Sequence, residues 1–223
     1  LVSLDISMNE DIEQLDVTNC QLLRELVAYG TFIEQLDLSK NTQLEEVDVK
    51  NTQIDSICVK NAPNLMLLNV TNNYLSSLDV TSNPLLMILE ANGNEIERLD
   101  LSKNTYLISL SASKNKLTQL DLSKNLMLQK LSVSGNQLEG LDLSQNTDIW
   151  YVDVRGNNWD ACTVNDFFAL IPQYVSPGED VEQTTTATKL WIAGEGDGPA
   201  NDVAHAETLL MSDKEMIMNF TDQ

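Results

Sequence analysis

The chain repeats itself every 21 residues, and that period leaves few folds open. LDLSKN stands at 36–41, 99–104 and 120–125, so successive copies start 63 and then 21 residues apart. The copies belong to a unit Φ-x-x-L-D-Φ-S-x-N. Its fourth position falls at Leu15, Leu36, Ile57, Leu78, Leu99, Leu120, Leu141 and Cys162, and its sixth at Val17, Leu38, Val59, Val80, Leu101, Leu122, Leu143 and Val164. A second half-unit, L-x-x-L-x-Φ-x-x-N, lies between the copies. Its columns are Leu26, Val47, Leu68, Leu89, Leu110, Leu131, Val152 and Ala28, Val49, Val70, Ala91, Ala112, Val133, Val154. The opening Leu1, Leu4, Ile6 and Asn9 fit this half-unit with one extra residue before Ile12.

A unit this short holds too little apolar material to fold alone and must bury its face against copies of itself. Within each half-unit, apolar and polar residues alternate as in a strand with one buried side. Like registers then stack as parallel strands about 4.8 Å apart. The spacing predicts an α/β-type repeat solenoid, mostly β, with Leu68 and Leu89 vertical neighbours in one apolar column. Asparagine marks the end of each half-unit. One column is Asn73, Asn94, Asn115, Asn136 and Asn157, preceded by Thr31 and Thr52. The other is Asn41, Asn83, Asn104, Asn125 and Asn146. An amide turned inward where a strand ends can bond backbone groups of its own and adjacent coils that burial would leave unpaired.

These residues resemble the leucine-rich repeat family, whose signature segment is L-x-x-L-x-Φ-x-x-N-x-Φ. The 21-residue form with an interposed L-D-Φ-S-x-N is similar to the repeats of bacterial internalin-type surface proteins. The resemblance covers roughly residues 1–164. It implies a right-handed arc, a concave parallel sheet from the L-x-x-L-x-Φ strands, and a β-rich convex wall from the L-D-Φ-S strands. It also implies an extracellular or cell-surface site. It says little of function, because the family binds many unrelated partners. One departure is alanine at Ala28, Ala91 and Ala112, where core packing is expected to be thinner.

After Val164 the period stops. Residues 1–164 read as a solenoid of about seven and a half repeats, and 165–223 as a small α+β cap packed on the last one. An exposed terminal coil needs a lid. Asn165-Asp166 predicts the start of a short helix from Asp166 to Ile171, with Phe167, Phe168 and Leu170 sealing the core. A polar loop at 173–187, a strand from Lys189 to Ile192 extending the concave sheet, a turn at 194–199, a helix at 202–214 and a strand at 216–220 complete the expectation. This closing module looks like that of secreted bacterial leucine-rich repeat proteins.

Catalytic chemistry finds little support. The Gly-rich run at 194–198 lacks a phosphate-cradling frame. The single histidine, His205, has no metal spacing, and neither a nucleophile elbow nor a paired Cys–His is visible. No enzyme, cofactor or metal is expected. The net charge of −21 repels phosphate backbones and anionic headgroups, arguing against nucleic acid and membrane-surface partners. Apolar runs such as 85–89 are far too short to cross a bilayer. The start at Leu1 without Met is compatible with a processed or truncated product.

Asp37, Asp79, Asp100, Asp121 and Asp142, with Asp16 before them, form a column on the expected convex wall. Stacked carboxylates about 5 Å apart disfavour one another's ionisation. Hydrogen bonds from Ser39, Thr81, Ser102, Ser123 and Ser144, with Lys40, Lys103 and Lys124, can offset this. Bridging Ca²⁺ is the alternative. Cys58 occupies this column and Cys20 the second Asn column two coils earlier, about 10 Å at this spacing and beyond disulfide reach. Three free thiols are expected, with Cys162 buried in the leucine column.

Positions the fold does not dictate are the outward ones of the concave strands. Met66, Leu67, Met87 and Ile88 predict an apolar patch in mid-arc. Trp150, Tyr151, Asp153 and Arg155 predict an aromatic and charged patch near the cap, and Tyr29 lies on the same face. Exposed aromatics with arginine have the composition of interaction hot spots. The opposing reading tucks the second-position side chains under the rim and seals Tyr151 beneath the cap. The leading functional expectation is a non-enzymatic binding module taking a protein on its concave face. Glycan binding at the aromatic end and a structural spacer in a larger surface protein are the alternatives.

Overall fold

The computed structural model describes residues 1–170 and 189–191. In chain order the strands are β1 (Ser3–Asp5), β2 (Glu25–Val27), β3 (Gln35–Asp37), β4 (Glu46–Asp48), β5 (Ser56–Cys58), β6 (Leu67–Asn69), β7 (Ile88–Glu90), β8 (Ser109–Ser111), β9 (Lys130–Ser132), β10 (Tyr151–Asp153) and β11 (Lys189–Trp191). Helix α1 (Ala161–Leu170) lies between the last two. The loop at 173–187, the turn at 194–199, His205, the helix at 202–214 and the strand at 216–220 lie outside the described residues.

Nine strands form one parallel sheet in the order β1-β2-β4-β6-β7-β8-β9-β10-β11. The register is that of the repeat: Leu68 pairs with Leu89, Leu89 with Leu110 and Leu110 with Leu131. Every residue of that column from Leu26 to Val152 is at most 1% exposed. The core is therefore a stack of identical layers, each closed only by the coil above and the coil below. Ala28, Ala91 and Ala112 are also fully buried. The expected strand at the chain's far end is present as β11, parallel to β10.

The opposite wall is laddered only where β3 pairs with β5. Elsewhere the L-D-Φ-S segments run without strand pairing. One wall laddered at every coil and the other at a single step describe an arc, because the laddered wall holds its backbones at closest approach. The convex side is thus less β-rich than the repeat pattern implies.

Asparagines stitch the coils. Asn94 Nδ2 donates to Val70 O of the preceding coil at 2.9 Å and to Ala91 O of its own at 3.2 Å, while its Oδ1 accepts from Leu75 N at 3.0 Å. Asn73, Asn115, Asn136 and Asn157 repeat the pattern. In the second column, Asn104 Nδ2 donates to Val80 O and Asn83 O, both at 2.9 Å. These bonds satisfy carbonyls that burial would otherwise strand.

Helix α1 begins earlier than expected. Asp160, not Asn165 or Asp166, caps it: its Oδ1 accepts from Thr163 N at 2.8 Å. Cys162 and Val164 consequently lie in the helix rather than in a further coil, and Cys162 is exposed rather than buried. The reason is Trp159. It stands 21 residues after Leu138 in a column otherwise held by Leu or Ile, and its indole Nε1 donates to Leu138 O at 2.7 Å. Phe167 packs on it with ring centroids 4.9 Å apart, and both are buried. One aromatic pair closes the apolar column where a coil would otherwise continue it.

Candidate partner-binding face

The concave sheet sets outward side chains in vertical files. Because the strands are in register, the third position of each half-unit runs Glu25, Glu46, Leu67, Ile88, Ser109, Lys130, Tyr151, one rung per coil. From Ser3 on β1 the file turns acidic, then apolar in mid-arc, and ends cationic and aromatic.

Met66, Leu67, Met87 and Ile88 come together as the sequence suggested. With Ile108 they line a groove of about 460 Å³, bounded by Glu90, Ser109, Gln129 and Lys130. Met66 and Met87 are 40% and 37% exposed, so they do not tuck under the rim. A second groove of about 370 Å³ adjoins it, lined by Val2, Ser3, Arg24, Glu25, Glu45 and Glu46 and sharing Met66 and Leu67. Apolar and acidic surfaces are thus continuous.

The aromatic end is more occupied. Trp150 and Tyr151 meet edge to face with centroids 6.3 Å apart, and Lys130 Nζ lies 4.8 Å from the Trp150 ring centre. Asp153 is only 3% exposed and is gripped by Arg155, whose Nε and Nη2 each donate to it at 2.8 Å. Asp153 therefore holds Arg155 in place and is not offered to a partner, contrary to its selection as a contact residue. That hydrogen-bonded carboxylate raises the guanidinium's proton affinity, and burial pushes the Tyr151 hydroxyl upward. Tyr29 stands apart from both patches, half-buried, with Lys50 Nζ 4.9 Å from its ring centre.

Sequence reasoning missed a further apolar file. Leu85, Tyr106 and Met127 are 41%, 51% and 43% exposed, and Leu126 beside them is 55%. They occupy one column of the period, two residues before Met87, Ile108 and Gln129, on the turn leading into the concave sheet. Exposed apolar side chains therefore stand on this rim beside the mid-arc groove. The period itself carried the signal, since Leu85, Tyr106 and Met127 stand 21 residues apart.

On the convex side, carboxylate repulsion does not control the aspartate column. Asp37, Asp79, Asp100, Asp121 and Asp142 each accept from the backbone N–H two residues on, at 2.8–3.1 Å. In Asp79 the Thr81 hydroxyl adds a bond at 2.7 Å. The hydroxyls of Ser39 and Thr81, with their amides, hold Asp37 and Asp79 below the ordinary carboxylate range. The amides of Ser102, Ser123 and Ser144, with their hydroxyls, do the same for Asp100, Asp121 and Asp142. For Asp100 and Asp142 the neighbouring aspartate opposes this more weakly. Among the described residues no group of three or more His, Cys, Asp or Glu is placed to hold a metal ion, and no helix is long and apolar enough to cross a membrane. All three cysteines are free.

No family model matches the sequence, and no curated protein matches it. Solved structures do. An internalin, InlF, from Listeria monocytogenes is 16% identical with a TM-score of 0.76, over 100% of this chain and 62% of that one. The functional domain of InlJ from the same organism is 24% identical with a TM-score of 0.56, over 86% and 49%. The leucine-rich effector YopM of Yersinia pestis is 27% identical with a TM-score of 0.58, over 62% and 39%. The chain spans less than two thirds of the length of each, from 39% to 62%. Together with the stacked 21-residue coils, these likenesses establish a leucine-rich repeat fold.

Proposed function

We propose that this leucine-rich repeat arc is a non-enzymatic binding module that takes a protein partner on its concave face, in an extracellular or cell-surface setting. The observation carrying this reading is the groove lined by exposed Met66 and Met87 and half-buried Leu67 and Ile88 on adjacent coils, beside a rim that exposes Leu85, Tyr106 and Met127. The stacking fold fixes the inward columns and leaves these outward positions free. Coils elsewhere in the arc fill the third position with serine, a charge or tyrosine, so the solenoid does not require aliphatics there. A contiguous exposed apolar patch on a repeat protein is the composition of an interface.

A glycan at the aromatic end is supported less well, because Lys130 already covers one face of Trp150. A spacer role predicts that no concave substitution alters any interaction. Affinity capture from the protein's natural surroundings, with wild type and Leu67→Asp/Tyr151→Ala as paired baits, separates these readings. A protein recovered by wild type and lost with the variant is expected; equal recovery rejects the concave site.

A further inference from the structure

We infer that the partner is cationic as well as apolar: the concave face fits a protein segment that sets Lys or Arg beside an aliphatic anchor. This rests on the concave reading above and adds the partner's charge and orientation to it. Glu25 and Glu46 are direct register partners on β2 and β4, so their carboxylates leave adjacent rungs about 4.8 Å apart. Like charges directly across a rung oppose each other. The nearby cations are committed elsewhere, Arg24 to Glu45 at 3.1 Å and Lys50 to Asp48 at 3.0 Å. Among the described residues neither Glu25 nor Glu46 has an ion pair; Glu25 accepts one bond, from Ser3 Oγ at 2.9 Å.

The fold does not ask for these carboxylates. The same position holds Ser3 and Ser109 in other coils, and both glutamates are exposed. Next in the same file come Leu67 and Ile88, one and two rungs beyond Glu46, with Met66 and Met87 flanking them. The acidic groove and the apolar groove share Met66 and Leu67 as common walls. An occupant of the apolar groove therefore reaches the two glutamates within about 5 to 10 Å of its anchor, the span of adjacent side chains on one face of a strand or helix. A cation there relieves the repulsion and gains charge-assisted hydrogen bonds. A second copy of this chain is a poor occupant, since two molecules each of net charge −21 would meet through their acidic rungs. Anionic lipid and nucleic acid fail for the same reason.

The test is a selection of displayed random peptides on the wild-type chain, with removal of sequences that also bind Met66→Asp/Met87→Asp. Both methionines are exposed, so the variant keeps its fold; matching thermal midpoints verify this. Surviving peptides are expected to combine Lys or Arg with Leu, Ile, Met or Phe. Selected peptides should bind Glu25→Gln/Glu46→Gln about tenfold more weakly and lose affinity with added salt. The charge-matched control Glu97→Gln/Glu139→Gln, off the concave face, should change binding by less than about twofold. Survivors without basic residues overturn the inference, as does equal weakening by both glutamine pairs, while the concave reading stands. An absence of surviving peptides overturns both.

Discussion

The eighth position of each concave half-unit is a left-handed turn. Met8, Gly30, Asn51, Asn72, Gly93, Lys114, Gly135 and Gly156 all have φ between 53° and 68°. Glycine and asparagine occupy that region at little steric cost, whereas a long unbranched chain does not. Lys114→Gly is therefore expected to stabilise the protein by about 0.5–1 kcal/mol, read from urea unfolding. The ladder predicts the opposite sign. Asn115→Ala removes donors to Ala91 O and Ala112 O and strands the buried Ile96 N–H, costing about 3 kcal/mol in the same measurement. The asparagine column was visible in the letters alone, because only a fixed backbone demand repeats a polar residue so faithfully. The left-handed column was not, since Met, Asn, Lys and Gly share no chemical signature.

The elements were legible wherever the period ran and less so where it stopped. Cys162 and Val164 fit their columns by letter, and that coincidence hid the first turn of the helix. Asp160 as cap and Trp159 as oversized column member were the local signals for an ending. Phe167→Ala should cost about 3 kcal/mol through loss of the aromatic seal. Asp160→Ala should cost about 1 kcal/mol through the lost cap. Hydrogen exchange adds a distinction: in a stack coupled only between neighbours, Phe167→Ala should loosen the coils nearest α1 first. Uniform loss of protection along the whole arc would contradict this coupling. The convex wall illustrates a different limit. Alternation of polar and apolar letters shows which way side chains face but not how far apart neighbouring backbones lie.

Across the whole molecule, charge and hydrogen bonding set the acid limit. Hydroxyl and amide donors hold the convex aspartates below the ordinary carboxylate range in the folded state. A depressed carboxyl contributes stability that is present above its unfolded value and lost as pH falls through its folded value. Thermal midpoints should therefore drop below about pH 4, and Asp79→Asn/Asp121→Asn should flatten that acid limb by lowering the midpoint at neutral pH while leaving the acid end less affected. An unchanged acid limb would show that these bonds do not govern it. The mid-arc site was half legible for a related reason. The repeat identifies which positions point outward, so Met66, Leu67, Met87 and Ile88 could be found, and the turn column of Leu85, Tyr106 and Met127 could have been. Whether an outward residue meets solvent or its own neighbours depends on side-chain partners, as Asp153 demonstrates beneath Arg155.

Each ladder asparagine reaches back to the coil before it, and the next one reaches back to it in turn. The joints from Asn73 to Asn157 are therefore interchangeable with one another. The distance from the acidic rungs to the aromatic end is quantised, adjustable by gain or loss of whole revolutions without any joint being redesigned. A lineage built this way can change its reach far more readily than its grip.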